Sequence, residues 1–225
     1  KANKVISSHL DAALMSYVKK YNRDFIFLEH GETIASNCAT WFNQNKIKLI
    51  TLSCELEHKN IATNYNNYHL TPKEAKITGF ARYDSLIKNN LFNNKQVFIM
   101  PTWRKNLVGQ PIPGTGIREY NKEFLDSEYL LKWKSFLNSK KLEELALRYG
   151  YRINFFPHFQ IRQYLEHFEI PKYICINFRE NGESLQRVFQ ESDLMITDYT
   201  SAAFSMAFLK KPVLYYQFDE KDNIK

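Results

Sequence analysis

The feature that most constrains this chain is a recurring unit. A short apolar run breaks at a polar or glycine-bearing turn, and a stretch with helical spacing often follows. Phe25-Ile26-Phe27-Leu28 runs into His30-Gly31, Ile47 to Leu52 precedes a helical stretch from Glu55 to Tyr65, and Ala75 to Thr78 runs into Gly79. Apolar runs of this length bounded by turn signals fit strands buried on both faces, and strands that alternate with helices build parallel sheets. Past Asn89-Asn90-Leu91-Phe92-Asn93-Asn94 the rhythm restarts. Strands are expected at Gln96 to Met100, Arg152 to Phe156, Tyr173 to Ile176, Leu194 to Thr197 and Val213 to Tyr216. Helices are expected over 127–137, 140–149, 183–191 and 201–209, with a short one after Gln160 and Gly150 closing the second.

The chain is therefore read as α/β with two lobes, residues 1–92 and 93–225, the first lacking its beginning. Asn3 to Lys20 is spaced as one amphipathic helix, and Thr71-Pro72-Lys73-Glu74 opens a short helical turn. Residues 106–118, rich in Gly and Pro, read as a long loop of the kind that is often mobile and functional. Ligands of open parallel sheets bind at the carboxyl ends of the strands, so a cleft between the lobes is the expected site.

Charge narrows the partners. The 225 residues carry 31 Lys+Arg and 24 Asp+Glu, a net +7. The excess divides into +4 up to residue 92 and +3 after it. A nucleic-acid module would gather its charge on one element, and this chain does not. Mild basicity suits anionic ligands or an anionic membrane surface. No stretch approaches the roughly 18 apolar residues of a membrane span. Cys38, Cys54 and Cys175 have no C-x-x-C spacing, so neither a disulfide framework nor a metal site is expected, and a reducing cytoplasmic setting suits them.

The common nucleotide and hydrolase fingerprints, G-x-G-x-x-G, the Walker sequence, H-E-x-x-H and G-x-S-x-G, are missing, which leaves polar residues at strand ends. In Asp193-Leu194-Met195-Ile196-Thr197-Asp198-Tyr199-Thr200-Ser201 an apolar strand breaks into an acid and hydroxyls before a helix. Free N–H groups and the helix terminus would converge there on a phosphate. The alternative is that Asp198, Thr200 or Ser201 merely caps that helix. His30 and His158 stand at strand ends of opposite lobes, a placement suited to acid/base work or phosphate binding, although a lone histidine is more often structural. Gly31 beside His30 would let a ligand approach the backbone. Arg82 and Arg104 follow strands and carry the forked donor that phosphate oxygens favour, with an ion pair to Asp84 or at the hinge as the structural reading of Arg82.

Taken in order, several segments resemble the CDP-glycerol glycerophosphotransferase family, whose members make teichoic-acid-like and capsular polyol-phosphate polymers. They are Phe25 to Gly31, Leu70 to Asp84, Met100-Pro101-Thr102-Trp103-Arg104, Phe155-Phe156-Pro157-His158, Ile196 to Ser201 and Lys211 to Asp219. The resemblance implies a GT-B arrangement of two Rossmann-like lobes. It implies transfer of glycerol phosphate, or a related polyol phosphate, from a CDP-linked donor to a polymer hydroxyl, with CMP leaving. His30 would be the base on the acceptor, and His158 would sit near the donor phosphates. Arg104, Thr200 and Ser201 would surround the diphosphate, and Asp198 would orient their turn. No cofactor is implied beyond the CDP-activated donor, which is a substrate. A cytoplasmic position is implied with it, with contact to the inner face of the membrane expected through parts outside this chain. Ser205 and Thr200 stand where the family pattern carries Asp and Ser, and Phe159 where it carries Pro. A nucleotide-sugar glycosyltransferase of the same shape, or a non-catalytic binding domain of a capsule-synthesis protein, are the competing readings.

Overall fold

The computed structural model describes residues 3–9, 11–29, 39–63, 67–178 and 184–223. The chain divides into two compact units, Lys1–Ser85 and Leu86–Lys225. The first contains β1 (Lys4–Ser7), α1 (Ala12–Lys20), β2 (Asp24–Leu28), α2 (Ala39–Asn43), β3 (Ile47–Leu52), α3 (Glu55–Ala62) and β4 (Ala75–Ile77). Helix α4 (Ala81–Lys88) runs through the division. The sheet keeps chain order, β1-β2-β3-β4, with every neighbouring pair parallel. Phe25, Phe27, Ile50, Leu52 and Ala75 are wholly buried on it, and Phe42 of α2 packs edge-on to Phe27.

The opening segment differs from the single helix expected. Lys4 to Ser7 is an edge strand in register with Asp24 to Phe27, and the helix starts only at Ala12. Asp11 caps it, its carboxylate accepting the Leu14 N–H at 2.7 Å. The β-branched pair Val5-Ile6 finds a partner strand, and the cap fixes where helix can begin, so the spacing upstream of Asp11 carries no helical meaning.

The second unit contains β5 (Gln96–Met100), α5 (Glu128–Leu137), α6 (Lys140–Tyr149), β6 (Arg152–Phe155) and a 3-10 helix over Phe159–Phe168. Then come β7 (Ile174–Ile176), α7 (Leu185–Glu191), β8 (Leu194–Thr197), α8 (Ala203–Phe208), β9 (Val213–Tyr215) and α9 (Glu220–Asn223). Its five strands, all parallel, stand in the order β7-β6-β5-β8-β9. The chain winds outward from β5 to β7, returns, and continues on the far side of β5. Trp133, Phe124, Tyr164, Phe155 and Phe168 pack without exposure in one core, with Phe124 and Tyr164 stacked at 3.9 Å. Gly150 ends α6 in the left-handed conformation, as its position predicts.

The segment expected as a long mobile loop is a hairpin-like arm. Gly109 N–H donates to the Glu119 carbonyl, Glu119 N–H to Gln110 and Ile112 N–H to Ile117, around a bridge between Pro111 and Arg118. A Cβ on Gly109 would fall 2.5 Å from the Glu119 carbonyl oxygen, so the two arms meet only because that residue is glycine.

Candidate functional site

The reversal of strand order in the second unit lies between β5 and β8. Chain leaving these strands at their carboxyl ends departs to opposite sides and opens a crevice, the usual ligand position in doubly wound sheets. Three adjacent strands deliver the polar residues. His158 follows β6, Thr102 to Arg104 follow β5, and Asp198 to Ser201 follow β8. From β6 to β8 is two inter-strand steps, about 10 Å, a span that suits a diphosphate and its substituent.

The floor of this edge is a buried ion cluster. Arg104 is 6 % exposed, Asp198 is fully buried, and the two meet at 2.8 Å. Arg104 Nε also donates to Asp219 at 2.8 Å, and its Nη2 reaches the other Asp219 oxygen at 3.2 Å. Nη1 donates to the Thr102 carbonyl at 2.7 Å. The guanidinium lies over the rings of Tyr129 and Tyr199, 5.1 and 4.9 Å from their centres. Burial works against its charge, yet the hydrogen bond to Asp219 and the field of Asp198 outweigh that penalty and raise its pKa. Burial and then the Asp198 charge push the Tyr129 phenol well up, and burial with Asp219 raises Tyr199 to about 12. Both phenols therefore keep their protons at neutral pH.

Asp198 does not cap α8. One of its oxygens accepts the N–H groups of Thr102 and Tyr199, both at 2.8 Å, so a single carboxylate joins the turns after β5 and β8. The Thr197 hydroxyl donates to the Met100 carbonyl at 2.6 Å, and Gln217 Nε2 donates to the Asp198 carbonyl at 3.1 Å. Arg104, expected to open toward a ligand, turns its fork inward.

The turn into α8 offers fewer donors than the sequence suggested. Ala202 N–H is taken by the Thr200 hydroxyl at 3.2 Å. Ala203, Phe204 and Ser205 donate to the carbonyls three residues back. Among the described residues, the Thr200 and Ser201 amides and the exposed Ser201 hydroxyl make no hydrogen bond. They stand directly after the buried carboxylate that holds their turn.

His158 is half-buried at the start of the 3-10 helix, and its Nδ1 accepts the Gln160 N–H at 3.3 Å. Its ring stacks on Trp103, with centres 5.8 Å apart and planes 23° apart. The structure thus brings His158, Arg104, Asp198, Thr200 and Ser201 to one edge of one sheet. Arg82 belongs to the first unit, in the first turn of α4, where its guanidinium lies over Phe80 and Tyr83. His30 and Gly31 lie outside the described residues.

Asp219, Tyr129 and Tyr199 were not singled out by the sequence. Asp219 lies 115 positions from Arg104, and only the acid at the end of Lys211 to Asp219 could have pointed to it.

A family model described as CDP-glycerol:poly(glycerophosphate) glycerophosphotransferase matches residues 1–223. The chain is 38% identical over 234 residues to the minor teichoic acid biosynthesis protein GgaB of Bacillus subtilis (strain 168), covering all of this chain and 25% of GgaB. Among solved structures it is similar to the wall teichoic acid polymerase TagF, with TM-score 0.59, 18% identity and coverage of 100% of this chain and 57% of TagF. A histidine-to-asparagine variant of TagF soaked with CDPG gives 0.62 at 18% identity, covering 100% of this chain and 56% of that one. The chain thus spans about a quarter of GgaB and a little over half of TagF. At these identities the likeness to TagF shows the fold, two α/β units, each with a parallel sheet, of the GT-B-like class. With residues 1–223 matched by that model, this chain belongs to the CDP-glycerol:poly(glycerophosphate) glycerophosphotransferase family.

Proposed function

We propose that the protein transfers glycerol phosphate, or a related polyol phosphate, from a CDP-linked donor to a terminal hydroxyl of a teichoic-acid-type polymer. The acceptor oxygen attacks the glycerol-bearing phosphorus. The bond from that phosphorus to the bridging oxygen breaks, CMP leaves with the electron pair, and a phosphodiester forms. His30, assigned by its motif alone, takes the acceptor proton. His158 and the Thr200–Ser201 turn stabilise the charge that builds on the diphosphate. In such transfers the protein chiefly positions groups and neutralises charge.

One observation carries this reading. The open Thr200 and Ser201 donors share the carboxyl edge of the sheet with His158, on either side of the point where strand order reverses. Arg104 enters as the brace of that edge rather than as a direct phosphate ligand, because four of its hydrogen bonds are spent inside the protein. Asp198 orients the turn through Arg104 and the Thr102 amide. Arg82, on the first unit, is assigned to the polyol-phosphate acceptor. Among the described residues no helix is long and apolar enough to cross a membrane. Contact with the inner membrane face through the excess of basic residues completes the proposal.

The test is CMP release from CDP-glycerol with a polyol-phosphate acceptor, with His158→Ala and the parent protein run side by side. His158→Ala is expected to lower turnover by about 10²-fold or more while the fold is kept. Preference for a uridine-linked sugar over CDP-glycerol in direct binding would overturn the reading in favour of a glycosyltransferase.

A further inference from the structure

We infer that the cavity at the amino end of the first sheet is a subsite for one polyol phosphate unit of the acceptor chain. The acceptor role rests on the reading of the protein as a polyol-phosphate transferase. The cavity measures about 340 Å³, at the small end of the range for ligand pockets. It opens where β2 and β3 begin, between the turn after α2 and the segment over 69–74. His30 follows the opposite end of β2 in sequence, so a five-residue strand, roughly 15 Å, separates the cavity from the edge that leads to the proposed base.

The walls are held by bonds made without a ligand. Asn43, at the end of α2, clamps the facing segment: its Nδ2 donates to the Asn67 carbonyl and its Oδ1 accepts the His69 N–H, both at 2.7 Å. One oxygen of Glu74 accepts the Thr71 N–H at 3.0 Å and the Thr71 hydroxyl at 2.5 Å, so this carboxylate is occupied. Phe42, Ile47 and Leu70 form a buried floor. The Phe42 ring packs against Phe27 and Tyr68 and offers no open face on which a base could stack.

The remaining polar groups are unspent, and they are of two kinds. Among the described residues, the ammonium groups of Lys46 and Lys48 make no hydrogen bond or ion pair. Arg23 has one side-chain hydrogen bond, from Nη1 to the Asn3 side-chain oxygen at a long 3.3 Å, and its buried Nε has no acceptor. Three cations around one hollow repel each other until an anion enters, and ammonium and guanidinium groups are the donors phosphate oxygens favour. The Asp24 carboxylate, which also lines the cavity, would repel a bare phosphate but accepts hydroxyl protons well. Asn45 spends its Nδ2 on the Trp41 carbonyl at 2.8 Å, which leaves its oxygen as a second acceptor. Donors for a phosphate beside acceptors for hydroxyls match a polyol phosphate, and the volume suits one such unit rather than a nucleotide.

The experiment is a backbone-amide NMR titration of the chain with glycerol 3-phosphate, with inorganic phosphate and with phosphatidylglycerol vesicles. Glycerol 3-phosphate should shift the amides of Asn45, Lys46, Lys48 and His69 saturably, and bind about tenfold tighter than inorganic phosphate. Replacing both lysines, Lys46→Gln with Lys48→Gln, should weaken that binding about tenfold or more. Asp24→Ala should act in the opposite sense on inorganic phosphate, tightening it and cancelling the preference for the polyol. In transfer assays the double lysine variant should lose about tenfold of the advantage that a long polyol-phosphate acceptor has over a single unit. No saturable shift at these amides, equal affinity for the two phosphates in the parent, or shifts with vesicles alone would each overturn the inference. The titration needs no turnover, so a chain that binds glycerol 3-phosphate here yet releases no CMP would refute the transferase reading and keep the polyol-phosphate site.

Discussion

The two units are written in the same rhythm of strands and helices, yet they wind differently. In the first, strand order follows chain order from β1 to β4. In the second, the chain turns back at β5 and lays β8 on its other flank. Only the reversal separates the exits of neighbouring strands, and the buried Arg104–Asp198 pair stands there. The first unit also buries a carboxylate, and uses it differently. Glu57 has no exposure and accepts from the Ser53 N–H at 2.6 Å and the Ser53 hydroxyl at 2.9 Å, closing the entrance to α3. One buried acid ends a local turn, and the other joins segments about a hundred residues apart. Winding, more than composition, decides whether a buried charge serves a helix or a site.

This contrast can be broken by removing its charges. Arg104→Met should cost about 3–5 kcal/mol, since it leaves Asp198 and Asp219 buried without their cation. The same change should weaken CDP binding, because the Thr200–Ser201 turn loses its brace. Urea unfolding and calorimetric titration with CDP measure the two effects, and an Arg104→Met protein of undiminished stability would end the argument for a brace. Glu57→Ala should cost less, about 1–3 kcal/mol, and leave the affinity for CDP unchanged. A drop in CDP affinity in that variant would show that the Glu57 carboxylate also supports the donor site.

The smallest effect concerns Lys211, whose ammonium donates to the Phe189 and Gln190 carbonyls at 3.0 and 2.6 Å at the end of α7. Burial lowers its pKa to about 8, from 10.5. Between those values the unfolded chain holds the proton more tightly than the folded one. Stability therefore rises as pH climbs from about 8 toward 10, by at most about 1.4 kcal/mol per pH unit from this group. Lys211→Met should flatten that slope in thermal melts taken across the range. A slope identical to the parent's would locate the titration elsewhere.

Much of this was legible in the chain, for identifiable reasons. Strands such as Phe25 to Leu28 and Leu194 to Thr197 are dense apolar runs, and only burial in a parallel sheet explains them. β1 was missed because four half-polar edge residues can be read at helical spacing as easily as in alternation. The polar break after β8 was legible as a site, but the fate of its donors was not, since the local turns that consume the Ala202 and Ala203 N–H groups depend on backbone angles. The inward turn of Arg104 was illegible for another reason. Its partners come from two strands further along the chain, and no local pattern records a meeting of that kind.

Asp198 has one more consequence, for anyone who would refit this protein to a different donor. Its oxygen Oδ1 is shared between the amides of two turns, and its Oδ2 is committed to the guanidinium. The segments around 102–104, 198–201 and 217–219 are therefore a single interlocked part, and a graft that exchanges one of them alone inherits a mismatched joint. Specificity here should be transplantable only as a three-piece cassette.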